Sequence, residues 1–367
     1  MTPFSRRVGI LGAGQLGRML AIAGYPLGHK FGFYGLNHDE PAAMLGHMHI
    51  QSDEAHSLNQ LIDFADVLTY ESENTSVELV EKISQTTPVY PSATSLYYSQ
   101  HRGREKSLFT ELNIPCAPYT LVSNLTELHQ AVDMVGLPAI LKTSTEGYDG
   151  KGQFVIKQTD QIEQAWLSIG EREAILEGFV EFKRELSIIA VRNADNQQVY
   201  YPLVENQHHD GILRLTLAPA QQISPAIQQQ AETYMQALLN KMDHVGVLTL
   251  ELFETEAGLV VNEMAPRVHN SGHWTMEGAQ TSQFENHIRA ITNLPLGATT
   301  PRQSFAAMVN IIGQHGDIKT VLNMPNAFLH LYDKAERPGR KLGHINVVAN
   351  TQAELQVRLD QLKAWMP

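Results

Sequence analysis

Glu251 and Glu263 stand in two apolar runs, Leu248-Thr249-Leu250-Glu251-Leu252-Phe253 and Leu259-Val260-Val261-Asn262-Glu263-Met264, with Gly258 between them. Such runs predict a hairpin, with Gly258 as the left-handed residue of a three-residue turn. Pairing Thr255 with Leu259 then sets Glu251 directly opposite Glu263. Cross-strand Cβ atoms lie about 5 Å apart, a distance at which two carboxylates repel. Between apolar flanks the pair makes sense if it shares a proton or holds a cation. Oxygen donors without His or Cys favour magnesium, and magnesium favours nucleotide phosphates. The bland alternative turns one glutamate outward.

Two glycine-rich segments suit phosphates. Gly12-Ala13-Gly14-Gln15-Leu16-Gly17 follows the apolar run Val8–Leu11 and opens a helical pattern. It matches the dinucleotide fingerprint, and Asp39 lies at a suitable distance for a ribose hydroxyl. A nicotinamide-linked dehydrogenase is therefore one reading. Against it, Gln15 and Arg18 crowd the turn with side chains better suited to a monophosphate, and Asp39 sits in the polar run Asn37-His38-Asp39-Glu40-Pro41. The second segment is Gly147-Tyr148-Asp149-Gly150-Lys151-Gly152-Gln153. Gly152 follows Lys151 and a strand follows the loop, so this is not a Walker A motif. Set between two strands, it predicts a lid whose backbone N–H groups cover phosphates. Lys142, on the strand leading in, can reach an adjacent phosphate.

Arg267-Val268-His269-Asn270-Ser271-Gly272-His273-Trp274 follows the hairpin and offers donors for an anion beside the metal. Lys334-Ala335-Glu336-Arg337-Pro338-Gly339-Arg340-Lys341 concentrates positive charge, as a solvated turn or a seat for a substrate phosphate. The surrounding chain is acidic, with 39 acidic and 27 basic residues and a formal net charge of −12. That balance argues against a nucleic-acid binder. One cysteine, Cys116, excludes an intramolecular disulfide and any multi-cysteine metal site. The apolar start is too short and glycine-broken for a signal or membrane segment, so a cytoplasmic location is expected.

The elements that must position these groups fall into distinct regions. Strands at Val8–Leu11, Phe31–Leu36, Val67–Tyr70 and Pro88–Tyr90 alternate with helices near Leu58–Phe64 and Val77–Ser84. This predicts a parallel, doubly wound sheet over roughly the first hundred residues. Helices at Arg104–Leu112 and Leu125–Val135 follow, and strands Ala139–Thr143 and Gln153–Lys157 enclose the second glycine loop. Beyond a helix near Gln161–Ile169, strands at Ala174–Leu176, Leu186–Val191, Val199–Leu203 and Ile212–Leu217 predict antiparallel hairpins. Ser224 and Pro225 start a long helix running to about Met242. From Phe305 short strands close with a helix at Gln352–Trp365.

Taken together, the glycine lid, the carboxylate hairpin and the preceding Rossmann-like region resemble the ATP-grasp superfamily. Within it they resemble the 5-(carboxyamino)imidazole ribonucleotide synthetases of purine biosynthesis. Gly12 to Met19, Gly147 to Gln153, Tyr201-Pro202-Leu203, His208-x-Asp210-Gly211-Ile212, Asn262 to Trp274 and Arg337 to His344 carry the resemblance across nearly the whole chain. Lys151 stands where the family's lid usually has arginine, which keeps the charge and loses the bidentate fork. A relative with serines where Tyr148 and Asp149 stand, the formate-dependent glycinamide ribonucleotide transformylase, is the alternative.

The resemblance implies an α/β fold, α+β in its central part. Its units would be a Rossmann-like domain (1–100), a small lid domain (101–185), a large domain (186–300) and a small β-rich C-terminal domain (301–367). It implies ATP-dependent carboxylation of 5-aminoimidazole ribonucleotide by bicarbonate through carboxyphosphate, in a cytoplasmic homodimer. ATP would contact Arg102, Lys142, Gly147–Gln153, Glu177-Gly178-Phe179-Val180, Glu185, His208, Asn262 and Glu263. The ribonucleotide would meet Gln15, Leu16, Glu73, Tyr148, Lys151, Arg267, Lys334, Arg340 and Lys341, with Glu71 as the alternative to Glu73. Tyr148, Asp149, Lys151, Arg267, His269 and Asn270 would be the catalytic set, the last three at bicarbonate. Glu251 and Glu263 would hold Mg²⁺.

Overall fold

The computed structural model describes residues 4–37, 39–51, 57–147 and 152–366. The run Val8–Leu11 is buried throughout because its strand, Arg7–Leu11, lies inside a parallel sheet. That sheet has four strands, in the order Met48–Gln51, Lys30–Gly35, Arg7–Leu11, Val67–Tyr70. The parallel sheet expected of the first hundred residues is present, with two differences. Met48–Gln51 is a further strand whose Met-His-Ile-Gln alternation is too short to predict it, and Pro88–Tyr90 supplies only a single parallel bridge, Leu68 to Val89.

A second four-stranded sheet runs Tyr119–Val122, Ala174–Gly178, Ala139–Thr143, Gln153–Ile156, antiparallel throughout. Helices Leu125–Val135 and Ile162–Ser168 cover it over a core that includes Leu141, Trp166 and Leu176. The second glycine loop therefore joins the last two strands at one edge.

The third sheet has nine strands among the described residues. Its path is Gly258–Ala265, Gly246–Thr255, Arg184–Arg192, Val204–His209, Ile212–Ala218, Phe305–Ile312, Lys341–Ala349, Ala327–Leu331, and Gln198–Tyr200 pairs with Arg184–Arg192. Helix Pro225–Lys241 starts with the Ser224 hydroxyl accepting the Ile227 N–H and buries Ala231, Met235, Leu238 and Leu239 against Leu248 and Leu250. Each such leucine contributes about 1.5–3 kcal/mol on burial. The C-terminal strands pack a core of their own around Val309, Leu342, Ile345 and Trp365 while extending the same sheet. Strand Val204–His209, Val-Glu-Asn-Gln-His-His, has no apolar pattern that would predict it.

The carboxylate hairpin pairs Glu251 with Glu263, as the sequence predicts, but by another route. Thr255 faces Gly258, not Leu259, so the turn has two residues, and Gly258 has φ 121°. A bulge then inserts Asn262: Leu252 faces Val261, and the next pair is Glu251 with Glu263. Turn and bulge shift the register by one residue in opposite senses.

Two buried histidines bind the parallel sheet region to the large sheet. Val247 donates its N–H to His287 Nδ1 (3.1 Å), leaving Nε2–H for Thr69 Oγ1 (2.9 Å). His244 Nε2–H donates to Val247 O (3.0 Å) while Nδ1 accepts from the Ser95 hydroxyl (2.9 Å). Each ring uses one nitrogen as acceptor and so must be neutral. Burial accordingly pulls His244 down to about 4 and His287 to about 3, from the ordinary 6.5. The unfolded rings take up protons below 6.5 and the folded ones do not, so stability falls as pH drops from 6.5 toward 4. Urea unfolding should show a loss of about 2 kcal/mol per ring between pH 7 and pH 5. His287→Gln, which cannot titrate, should lose its ring's share of that slope; an unchanged slope would contradict the assignment.

Candidate active site

All three sheets border one cleft of about 570 Å³. Gln15, Leu16 and Glu73 line it from the parallel-sheet region, and Lys142, Gly147 and Gln153 from the lid sheet. The large sheet and its following loop contribute Glu185, His208, Glu251, Asn262, Glu263, Arg267, His269, Asn270 and Lys341, and the connecting helix Arg102–Glu111, between the first and second sheets in sequence, supplies Arg102. Most residues singled out from the sequence thus converge. Tyr148, Asp149, Gly150 and Lys151 lie outside the described residues.

The hairpin bulge is what sends two neighbours, Asn262 and Glu263, into the cleft, as bulges re-aim side chains next to sites. The carbonyl of the extra residue, Asn262, accepts from Lys106 Nζ at 2.7 Å. Glu263 meets Arg102 NH1 at 2.7 Å; against burial, Arg102 and then Lys142 hold its carboxyl well below the usual range. Glu251 meets His269 Nε2 at 3.0 Å. Because the Ser271 N–H points at His269 Nδ1 (3.3 Å), the ring proton is assigned to Nε2, facing Glu251. The two carboxylates expected to hold a metal therefore each have one cationic or N–H partner. As opposed, all-oxygen donors they fit magnesium, whose remaining ligands are ordinarily phosphate oxygens and water. Among the described residues no group of three or more His, Cys, Asp or Glu is arranged around a metal position.

Lys142 Nζ lies 3.0 Å from Glu177 Oε2 and 3.5 Å from Asn262 Oδ1, and Lys106 Nζ lies 3.5 Å from Glu177. Burial pulls the Lys142 ammonium down and Glu177 opposes it. The side chain of Glu177, a residue expected in a connector whose backbone reads the base, sits buried between two lysines. In the same segment the Gly178 and Phe179 N–H groups donate to Pro118 O (2.8 Å) and Pro138 O (3.1 Å), and Val180 is half-buried. Beyond them Phe182 and Phe253 stack, centroids 4.6 Å apart, on the cleft wall. His208 Nδ1 meets Glu185 at 2.8 Å, and despite burial that contact raises the imidazole's affinity for a proton. Gly152, with φ 70°, returns the lid loop by accepting the Thr143 N–H.

Arg267 is gripped by Glu73 through both Nε and NH2, the latter at 2.9 Å. Asn270 and Asn310 exchange amide hydrogen bonds at 3.0 and 2.6 Å. Lys334 Nζ donates to Gln15 Oε1 at 2.5 Å, whereas Arg340 NH1 donates to Ala335 O of its own loop.

The first glycine turn behaves differently from both readings of the sequence. Its Gly14 and Gly17 N–H groups donate to Glu71 Oε1 (2.5 Å) and Oε2 (2.7 Å), so they meet a carboxylate of the chain where a ligand phosphate was expected. Asp39 is exposed, and the neighbouring Glu40 caps the Leu36 N–H at 2.8 Å. Sequence reasoning also passes over Glu105 and Lys106. Glu105 accepts the Met264 N–H at 2.6 Å, and burial pushes its carboxyl up to about 8. Their signal is the i, i+3, i+4 spacing of Arg102, Glu105 and Lys106 on one face of helix Arg102–Glu111.

Residues 5–100 match the ribonucleotide synthetase preATP-grasp domain, 107–284 the ATP-grasp domain, and 306–358 the phosphoribosylaminoimidazole carboxylase C-terminal domain. N5-carboxyaminoimidazole ribonucleotide synthase of Pseudomonas aeruginosa is 45% identical over 98% of this chain and 99% of its own. The crystal structure of N5-carboxyaminoimidazole ribonucleotide synthetase from Thermus thermophilus superposes with a TM-score of 0.93 at 44% identity, covering 98% of both chains. That of the Aspergillus clavatus synthase, in complex with ADP and 5-aminoimidazole ribonucleotide, gives 0.90 at 33% identity over 98% of this chain and 99% of its own. The chain belongs to the N5-carboxyaminoimidazole ribonucleotide synthase family of ATP-grasp enzymes.

Proposed function

We propose that this protein uses ATP to carboxylate 5-aminoimidazole ribonucleotide with bicarbonate, giving N5-carboxyaminoimidazole ribonucleotide, ADP and phosphate. The observation that carries the reading is the single cleft in which Arg267, His269 and Asn270 lie beside the Glu251–Glu263 pair. An anion-binding triad next to a cation-binding pair suits the transfer of a phosphoryl group to a small oxyanion.

ATP lies between the lid sheet and the large sheet. Its base packs near Phe182 and Phe253, its ribose faces Glu185 and His208, and Arg102, Lys142, Gly147 and Gln153 serve its phosphates. Glu177 acts through Lys142, and the backbone of Gly178, Phe179 and Val180 borders the base. The glycine loop 147–153 serves the phosphates and the exclusion of water. Glu251 and Glu263 would hold Mg²⁺, which when bound offsets charge on the transferring phosphoryl group. Arg267, kept in place by Glu73, binds bicarbonate together with His269 and Asn270. A bicarbonate oxygen attacks the γ-phosphorus as the bond to the β-phosphate oxygen breaks, leaving ADP and carboxyphosphate. Carboxyphosphate separates into phosphate and carbon dioxide, and the exocyclic amine attacks that carbon and gives up one proton. Lys334, Arg340 and Lys341, with Gln15, Leu16, Tyr148 and Lys151, receive the ribonucleotide. In this reading 1–100 and 301–367, with Tyr148 and Lys151 of 101–185, hold the ribonucleotide, 101–185 and 186–300 hold ATP, and the enzyme works in the cytoplasm as a homodimer.

ADP release measured with each substrate omitted in turn tests the assignment. Release should require both aminoimidazole ribonucleotide and bicarbonate, and release indifferent to the ribonucleotide would overturn it. Glu263→Gln keeps the shape and removes a charge from the metal pair. Turnover should fall at least about a hundredfold with a raised magnesium requirement; near-normal turnover at limiting magnesium would take this carboxylate out of the site. Lys341→Ala should raise the KM for the ribonucleotide about ten- to a hundredfold, as for a charge-assisted contact worth roughly 1.5–3 kcal/mol, with the KM for ATP unchanged. Equal effects on the two constants would place Lys341 elsewhere.

A further inference from the structure

A helix N-terminus presents N–H groups without intrahelical partners and the positive end of a dipole, the usual seat for a ligand phosphate. Here that seat is filled from within the chain. Glu71 directly follows strand Val67–Tyr70 and places one oxygen on each of the Gly14 and Gly17 N–H groups, at 2.5 and 2.7 Å. The glycines are shaped to the carboxylate. A Cβ at Gly12, where φ is 117°, would come within 2.4 Å of Glu71 Cγ, and a Cβ at Gly14 within 2.7 Å of Oε1. In a dinucleotide fold the corresponding glycine makes room for a pyrophosphate; in this chain it makes room for Glu71.

Gln15, the first residue of helix Gln15–Gly24, lies between those two amides in sequence, and its Oε1 accepts from Lys334 of the C-terminal basic loop. We propose that Glu71 is the resident anion of the first glycine turn, and that by holding the turn it positions Gln15 and Lys334 for the ribonucleotide. Its role is positional: it closes the turn to dinucleotides and to the substrate's own phosphate, which is left to the basic loop. The second half of this proposal rests on the ribonucleotide reading above; the filling of the turn by Glu71 does not.

The test uses the full-length chain with Glu71→Ala. Acetate, a free carboxylate, should refill the emptied turn and raise the Tm of the variant by about 2 °C more than that of the wild type at equal ionic strength. An equal shift in both proteins would overturn the resident-anion half without reference to any substrate. In turnover, Glu71→Ala should raise the KM for aminoimidazole ribonucleotide about tenfold or more while leaving the KM for ATP within about twofold. Acetate should lower the raised constant again, and Glu71→Gln, which keeps an acceptor oxygen, should fall between variant and wild type. An unchanged ribonucleotide KM, or a rise in both constants together, would overturn the positioning half. If Glu71→Ala does not fold, Gln15→Ala leaves the filled turn intact and must still raise the ribonucleotide KM alone; no change there rejects the link to Lys334. A wild-type enzyme that ignores the ribonucleotide would instead reject the functional reading, and the acetate shift would still decide the first half.

Discussion

Every charged group that the cleft removes from water must find an opposite partner, because an unpaired buried charge costs several kcal/mol. This chain meets the requirement mostly with partners from different parts of the fold. Arg102 on the connecting helix meets Glu263 on the large sheet, and Lys106 on the same helix meets Glu177 on the lid sheet. Arg267 beyond the hairpin meets Glu73 of the parallel-sheet region. The pairing that makes the cleft affordable in free energy therefore also fixes how the three sheets are joined. The cleft of an acidic protein is thus lined by cations, Arg102 and Arg267, that already have carboxylate partners.

Periodicity made the parallel sheet legible, because its strands are continuous apolar runs with glycine and polar breaks between them. The hairpin is legible too, but local pattern pairs Glu251 with Glu263 through a three-residue turn where the chain uses a two-residue turn and a bulge. Met48–Gln51 and Val204–His209 are not legible, since one is short and the other is mostly polar, and both owe their strand conformation to pairing with neighbouring strands rather than to their own pattern. The continuity of the C-terminal strands with the large sheet is likewise a matter of topology that local pattern does not carry.

Site residues followed the same division. Cleft-lining groups in distinctive local motifs, Glu263, Arg267, His269 and Asn270, stand out by residue type and spacing, whereas Asn262 enters only through the family resemblance. Groups that act by supporting others, Glu105, Lys106 and Glu177, look in sequence like ordinary members of a solvated helix or a connector. Glu71 is the sharpest case. The glycine turn announces an anion, and only the fold reveals that the anion comes from residue 71 of the same chain.

The bulge at Asn262 has a consequence for how this hairpin can vary. It separates the strand pair into two stretches that need not stay in phase. The first strand is held along its length, from Gly246 to Glu254, by pairing with Arg184–Arg192, and on the second strand Lys106 holds the Asn262 carbonyl beside the Glu251–Glu263 pair. Length changes at the tip therefore fall outside the paired residues that fix the carboxylates. Homologous chains can accordingly differ in their turns while keeping the same acidic pair face to face, and an engineered loop or tag inserted at Glu256-Ala257 would leave the chemistry in register.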